Sequence, residues 1–357
     1  MPQPFPVSPS IGTIMNSRVG LMADERLLLH AIPGRSPENP ERLRRLLPRL
    51  RERYQGHCHF FPANLPSPGE IEAVHSPFYL EQLREHQVRS EPFSYDRDTY
   101  LMEHSLEVAE LAAGGCMDLA ERIMDGEIDL GMALVRPPGH HAEPGRGMGF
   151  CILNNVAITA RYLGRRHGLK RILILDFDAH HGNGTQEVFY ESDEVLFISL
   201  HQRDLFPFTG KAEEIGGGQG QGYTINVPVH PQFGDPEYTY LLGRILQGVV
   251  EQYLPQFILV SAGYDGHRDE TISGTTLSTS WFGLVTSMLK QYARDSCDGR
   301  LMLVLEGGYN AVALAASVEA TIDALLGERR GRIGILFSER GHQLLKDHPL
   351  HQRWGLL

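Results

Sequence analysis

The segment Asp176-Phe177-Asp178-Ala179-His180-His181 sets two carboxylates and two imidazoles directly after the apolar run RILIL. Burying such groups beside a strand costs several kcal/mol unless something binds them. Asp178 and His180 are two positions apart, so on an extended segment their side chains share a side. Asp265, in the later GYDG, would complete a set of one nitrogen and two carboxylates. Three ligands with an open position is the catalytic pattern for zinc, whereas structural sites usually close with four. Zinc is the first expectation; ferrous iron is the alternative, since this donor set does not choose between them.

A second group is the tandem pair His140-His141, in RPPGHHA. Each imidazole needs an acceptor that sets its tautomer and basicity. Asp176 and Asn183 are suitable partners, one charged and one neutral, so the two histidines should differ in basicity. One could then move a proton while the other holds water or developing charge. Tyr309 follows two glycines in LEGGYN. Gly307 and Gly308 allow turns closed to other residues, and the phenol could donate to an oxyanion. Together these groups suit metal-assisted hydrolysis of an amide. Cys151, in GFCILNN, reads as a small packing residue rather than a nucleophile.

The elements that must position these residues are legible as apolar runs at 130–135, 171–175, 195–200, 257–262 and 301–305. Near-continuous hydrophobicity over five or six residues suits strands covered on both faces. Helical patterns alternate with them at 105–124, 154–168, 237–254 and 278–295, which predicts a wound α/β sheet. An earlier helix should begin at Asn39-Pro40 and kink or end at Pro48. In such a sheet ligands bind beyond the carboxyl ends of the strands. His140 and His141, the 176–183 cluster, Asp265 and Tyr309 all follow strands, so four strand ends deliver polar groups to one edge. The glycine-rich EIGGGQGQG at 214–222 lacks GK[ST] and reads as a flexible connection, not a phosphate loop.

Composition narrows the function classes. A formal charge of −11 argues against phosphate-backbone binding, so no nucleic-acid partner is expected. Basic residues gather in the tail at Arg329, Arg330, Arg332, Arg340, Lys346 and Arg353. No run reaches the ~18–20 apolar residues of a membrane span, and the amino terminus does not read as a secretory signal. Four scattered cysteines without CxxC spacing suggest reduced thiols in a cytoplasmic protein. The expected organisation is one domain over 1–357, with a motif-bearing core of about 18–326 and a tail of about 327–357. That tail reads equally as a solvated face or as a surface for homo-oligomer formation.

RPPGHHA, GFCILNN, DFDAHHGNGTQ, ISLHQ, SAGYDGHRDE and LEGGYN resemble the motifs of the zinc-dependent histone deacetylase family, chiefly its class II and bacterial amidohydrolase branches. SPENPERLRRL and VHSPFYLEQL are weaker segments of the same likeness. The resemblance implies the α/β arginase/deacetylase fold, a central, mostly parallel sheet flanked by helices on both faces. It implies Asp178, His180 and Asp265 as metal ligands, His141 as general base and acid, and His140 as its electrostatic partner. Asp176 would pair with His140, Asn183 with His141, and Tyr309 would be the catalytic tyrosine. Gly149 and Phe150 would form one wall of an acyl-lysine tunnel and Phe206 the other, with Gly307 and Ile272 also on the substrate side. Arg42 would lie beneath the site. A structural K+ would sit among Asp176, Asp178, His180, Ser199 and Leu200.

The chain departs from the family pattern in three places. Ser36-Pro37-Glu38 stands where His-Pro-Glu is usual, and either Asp96 or Asp98 could serve as the rim aspartate. Ile272 occupies a position that is glutamate in a polyamine-preferring branch. The resulting expectation is a metal-dependent amidohydrolase removing acyl groups, acetyl first, from acyl-lysine in protein or peptide. An acetylpolyamine or other small acylated-amine deacetylase is the alternative, and an acyl-lysine binding module with little turnover is the second. Arginase chemistry fits less well, because the residues matching this site specify one metal.

Overall fold

In a computed structural model of the chain, residues 17–89, 92–327 and 333–357 are described; Arg329, Arg330 and Arg332 lie outside them. The strands are β1 (Val19–Met22), β2 (Cys58–Phe61), β3 (Phe93–Ser94), β4 (Tyr100–Leu101), β5 (Leu130–Ala133), β6 (Ile172–Asp176), β7 (Val195–Gln202), β8 (Thr224–Val229), β9 (Phe257–Ala262) and β10 (Leu301–Leu305). Eight form one sheet in the order β2-β1-β5-β10-β9-β6-β7-β8, and β3 and β4 make a separate antiparallel hairpin. Every pairing in the large sheet is parallel.

All residues of β5, β6, β9 and β10 are buried, as their uninterrupted apolar runs require. These four are adjacent in the sheet, so the four polar strand ends read from sequence open onto one continuous edge. The Ser105–Met124 helix has the predicted bounds, and the Asn155–His167, Asp235–Tyr253 and Thr279–Ser296 helices lie within two residues of theirs. Asn154 caps its helix through the Ala157 amide, and Gly168, at φ 68°, ends it in the left-handed region.

The elements that escape the periodicity reading include three strands of the large sheet and the helix after β10. β1 and β2 are only four residues long, and β2 is partly exposed. β8 contains Pro228, which argues against a central strand but is tolerated at the sheet edge where β8 lies. The Ala311–Leu326 helix is apolar nearly all round and carries only a weak helical stripe.

Pro48 neither ends nor interrupts its helix, which runs through it from Glu41 to Tyr54. Arg44 and Pro48 are exposed, so the Arg44 carbonyl deprived of its partner faces water, while Leu43, Leu46, Leu47 and Leu50 stay in the core. The 214–222 segment is an ordered connection, pinned by the Gly217 amide on the Tyr190 carbonyl. The tail is more than a solvated face. Leu345, Leu350, Trp354 and Leu356 are buried, and His348 and Trp354 bond the carbonyls of Asn226 and Gly222 along the β8 edge. Arg340 lies over Phe233 and Arg353 over Tyr223, so these two are tied to aromatic rings rather than to a basic patch.

The loop leaving β5 is fixed by an ion pair with no solvent exposure. Arg136 grips Glu38 with two bonds of 3.0 and 2.9 Å and donates to the Leu27 and His30 carbonyls. Breaking one side of such a pair strands a buried charge. Arg136→Met is therefore expected to lower the unfolding free energy by about 3–5 kcal/mol in urea titrations. A loss below about 1 kcal/mol would show that the histidine loop does not depend on this anchor.

Candidate active site

Each group of the site sits just past the carboxyl end of a central strand. His140 and His141 follow β5, Asp178 and His180 follow β6, Asp265 follows β9 and Tyr309 follows β10. One donor atom from each of Asp178, His180 and Asp265 lies within 4.8 Å of the others. Nδ1 of His180 faces both carboxylates, at 3.1 Å from Asp178 and 2.8 Å from Asp265. Burial and the neighbouring Asp178 push Asp265 up to about 6.

Two glycines make this convergence sterically feasible. A Cβ on Gly263 would stand 2.0 Å from Asp178 Oδ2; one on Gly307 would stand 2.5 and 2.6 Å from carboxylate oxygens of Asp265 and Asp178. The Gly307 amide also donates to Asp178 at 2.9 Å, so this residue shapes the carboxylate cluster directly. Two adjoining buried carboxylates and an imidazole converging on one point fit a divalent cation.

The histidine pair is built asymmetrically. The rings lie 4.0 Å apart, with Nδ1 of His140 2.9 Å from Asp176 and Nδ1 of His141 2.8 Å from Asn183 Oδ1. Burial pulls the His140 imidazole down, but Asp176, Asp178 and Glu306 outweigh it and push it up to about 10. Burial also lowers His141, and there the charges of His140 and His180 add to the effect, holding it well below its ordinary value. Asn183 donates from Nδ2 to Glu143 at 2.8 Å, which turns its Oδ1 toward His141. That oxygen can only accept, so His141 carries its proton on Nδ1 and keeps a lone pair on Nε2.

The site opens into a cavity of about 220 Å³ whose walls include His140, His141, Gly149, Phe150, Phe206, Ile272 and Tyr309. Phe206 meets the His141 ring edge-on at 5.2 Å, and Phe150 lies 5.6 Å from Tyr309. Gly149 and Phe150 both adopt positive φ, 56° and 70°. The hairpin of β3 and β4 holds them there: Asp96 accepts from the Gly149 amide at 3.1 Å and Thr99 from the Phe150 amide at 3.0 Å. The two rim aspartates thus separate. Asp96 is committed to this turn, and Asp98 lines the cavity. Arg42 donates to the Gly308 and Glu306 carbonyls, and its guanidinium lies 4.8 Å from the Tyr309 ring centre. Enclosure keeps the Tyr309 phenol well above its usual range, leaving a neutral donor. Ser199 is the register partner of Asp176, and Leu200 follows it, buried on β7.

Two residues here were not read from the sequence. Glu306, fully buried, accepts from the amides of Gly139 and His140 at 2.7 and 3.2 Å and from Ser261 at 3.1 Å, tying the histidine loop to β10. The signal available was a charge directly after an apolar strand. Glu143 orients Asn183 and is itself held by Arg146 at 2.6 Å, a link no local spacing announces.

Residues 36–325 match the model of the histone deacetylase domain. A probable deacetylase of Archaeoglobus fulgidus is 40% identical over 292 residues, covering 82% of this chain and 81% of the relative. Histone deacetylase 15 of Arabidopsis thaliana is 38% identical over 318 residues, 85% of this chain but 56% of that longer protein. The crystal structure of the HDA15 HD domain superposes with a TM-score of 0.87 at 35% identity, covering 95% of this chain and 98% of that one. With its parallel sheet and this convergence of residues at the strand ends, the chain belongs to the histone deacetylase family of metal-dependent hydrolases and has the arginase/deacetylase fold.

Proposed function

We propose that the protein hydrolyses the amide of acyl-lysine, acetyl first, in protein or peptide substrates. The observation that carries this reading is the meeting of Asp178, His180 and Asp265 with two differently tuned histidines and Tyr309 in one cavity. Asp178, His180 and Asp265 would hold the metal, zinc in this reading with ferrous iron as the alternative. When bound, such a cation polarises a carbonyl and acidifies water. Neutral His141 accepts a proton at Nε2 and returns it to the leaving amine, and cationic His140 stabilises the charge that develops beside it. Asp176 and Asn183 hold the two rings in these states. The Tyr309 hydroxyl donates to the oxyanion, with Arg42 bracing the turn beneath it. Phe150 and Phe206 would sheathe the lysine chain, worth about 0.8 kcal/mol per buried methylene. Apolar Ile272 in the wall favours this chain over a cationic polyamine, and Asp98 is placed to hold the substrate backbone. K+ is proposed among Asp176, Asp178, His180, Ser199 and Leu200. Four unpaired, buried cysteines suit the cytoplasm as location.

With zinc-loaded protein, an acetyl-lysine peptide should be turned over faster than an acetylpolyamine, and Tyr309→Phe should lower kcat about 10²–10³-fold. Preference for the polyamine would move the substrate assignment. Absence of turnover by metal-replete protein would favour an acyl-lysine binding role. Independently of activity, Gly307→Ala should weaken zinc retention about 10–100-fold in chelator competition, because its Cβ crowds both ligand carboxylates. Unchanged zinc affinity would show that the carboxylates relax freely.

A further inference from the structure

The loop leaving Asp265 carries a group that the mechanism above does not use. Glu270 Oε1 accepts from the backbone amides of Tyr309 at 2.6 Å and of Asn310 at 2.8 Å. The Asp269 carbonyl adds a bond from the Asn310 side chain at 2.9 Å. These amides lie just ahead of the Ala311–Leu326 helix, where a helix supplies no acceptor of its own, and a carboxylate makes the stronger, charge-assisted bond.

Tyr309 needs such a brace. It follows Gly307 and Gly308, the latter at φ 116°, a turn with little intrinsic stiffness. Its ring is touched by Phe150 on one side and the Arg42 guanidinium on another. Among the described residues, no hydrogen-bond partner meets its hydroxyl. The direction of the hydroxyl is therefore set by where the backbone puts the ring.

Glu270 itself stands on a rooted loop. Buried His267 bonds Thr279 at 3.0 Å, Ser273 bonds the Asp265 carbonyl at 2.5 Å, and Thr275 bonds the Gly266 carbonyl at 3.0 Å. The same loop carries Asp265 in the ligand cluster and Ile272 in the cavity wall. We propose that Glu270 is a positioning residue: it references the Tyr309 hydroxyl to Asp265 by clamping the tyrosine backbone to the ligand's own loop. The proposal rests on the reading of Tyr309 as oxyanion donor.

The test is steady-state kinetics of the zinc-loaded full chain on an acetyl-lysine peptide, with thermal stability and zinc content measured alongside. Glu270→Ala should lower kcat about 10–100-fold, as displacement of a catalytic group does, with KM changed less than about twofold. Glu270→Gln, whose amide oxygen can accept the same two bonds, should recover most of the loss. On a trifluoroacetyl-lysine probe, an activated amide, Glu270→Ala should cost less than about twofold in a Tyr309→Phe background, since two groups acting as a unit are not additive. Equal losses in both backgrounds, or lowered stability with kcat intact, would make Glu270 only a helix cap and overturn the proposal. An active wild type whose kcat is indifferent to Tyr309→Phe would remove the reading of the tyrosine, and the proposal with it, whatever Glu270→Ala does.

Discussion

Two carboxylates of like charge, Asp178 and Asp265, share one buried point with the imidazole of His180. Burial pushes the Asp265 carboxyl up to about 6, and repulsion from the neighbouring Asp178 adds to that push. A cation held between the two carboxylates would relieve that repulsion, and the surrounding structure brings them close together. Gly263 and Gly307 give up their side chains so that neighbouring backbone can approach the carboxylates. The Ala179 and Gly307 amides donate to Asp265 and Asp178. Placing Asp178, His180 and Asp265 just past the ends of adjacent strands of a buried parallel sheet leaves little freedom for them to separate.

Around this cluster the loops are tied together by buried charges rather than by packing alone. Glu38 holds Arg136 at the root of the histidine loop and stands beside Arg42, which holds the turn before Tyr309. Glu306 links the same histidine loop back to β10. A paired charge of this kind gives little net stability, but a misplaced loop would leave it stranded at a cost of several kcal/mol. The energetic effect is to penalise wrong loop geometries more than to reward the right one. Histidines of opposite character can then sit 4.0 Å apart, because each answers to a different fixed partner.

Much of this was legible along the chain. The central strands announced themselves because burial on both faces forces uninterrupted apolar runs, and the chemistry-bearing residues stood out as polar groups placed directly after them. The departures have physical causes. Pro48 stays within its helix because the carbonyl it orphans faces water, which spacing along the chain does not show. β8 is hidden in the sequence because Pro228 is acceptable only at an edge, and edge position is a property of the assembled sheet. The tail's composition fits two arrangements, and its bonds to the Asn226 and Gly222 carbonyls along the β8 edge are what place it.

By itself the sequence determined the central strands and the helices between them, the donor types and the strand ends that carry them, since periodicity and local spacing are properties of neighbouring residues. It also set Asp178 and His180 two residues apart just past β6, where the chain bends rather than staying extended and the His180 amide and Nδ1 both meet Asp178. Only the tertiary structure decided that Asp98 rather than Asp96 lines the cavity, that Glu306 and Glu143 orient the histidine pair, and that Glu270 grips the Tyr309 backbone. Those are contacts between loops tens or hundreds of residues apart. A hydrogen bond acts over about 3 Å, so its partners are chosen only once the sheet order has brought those loops together.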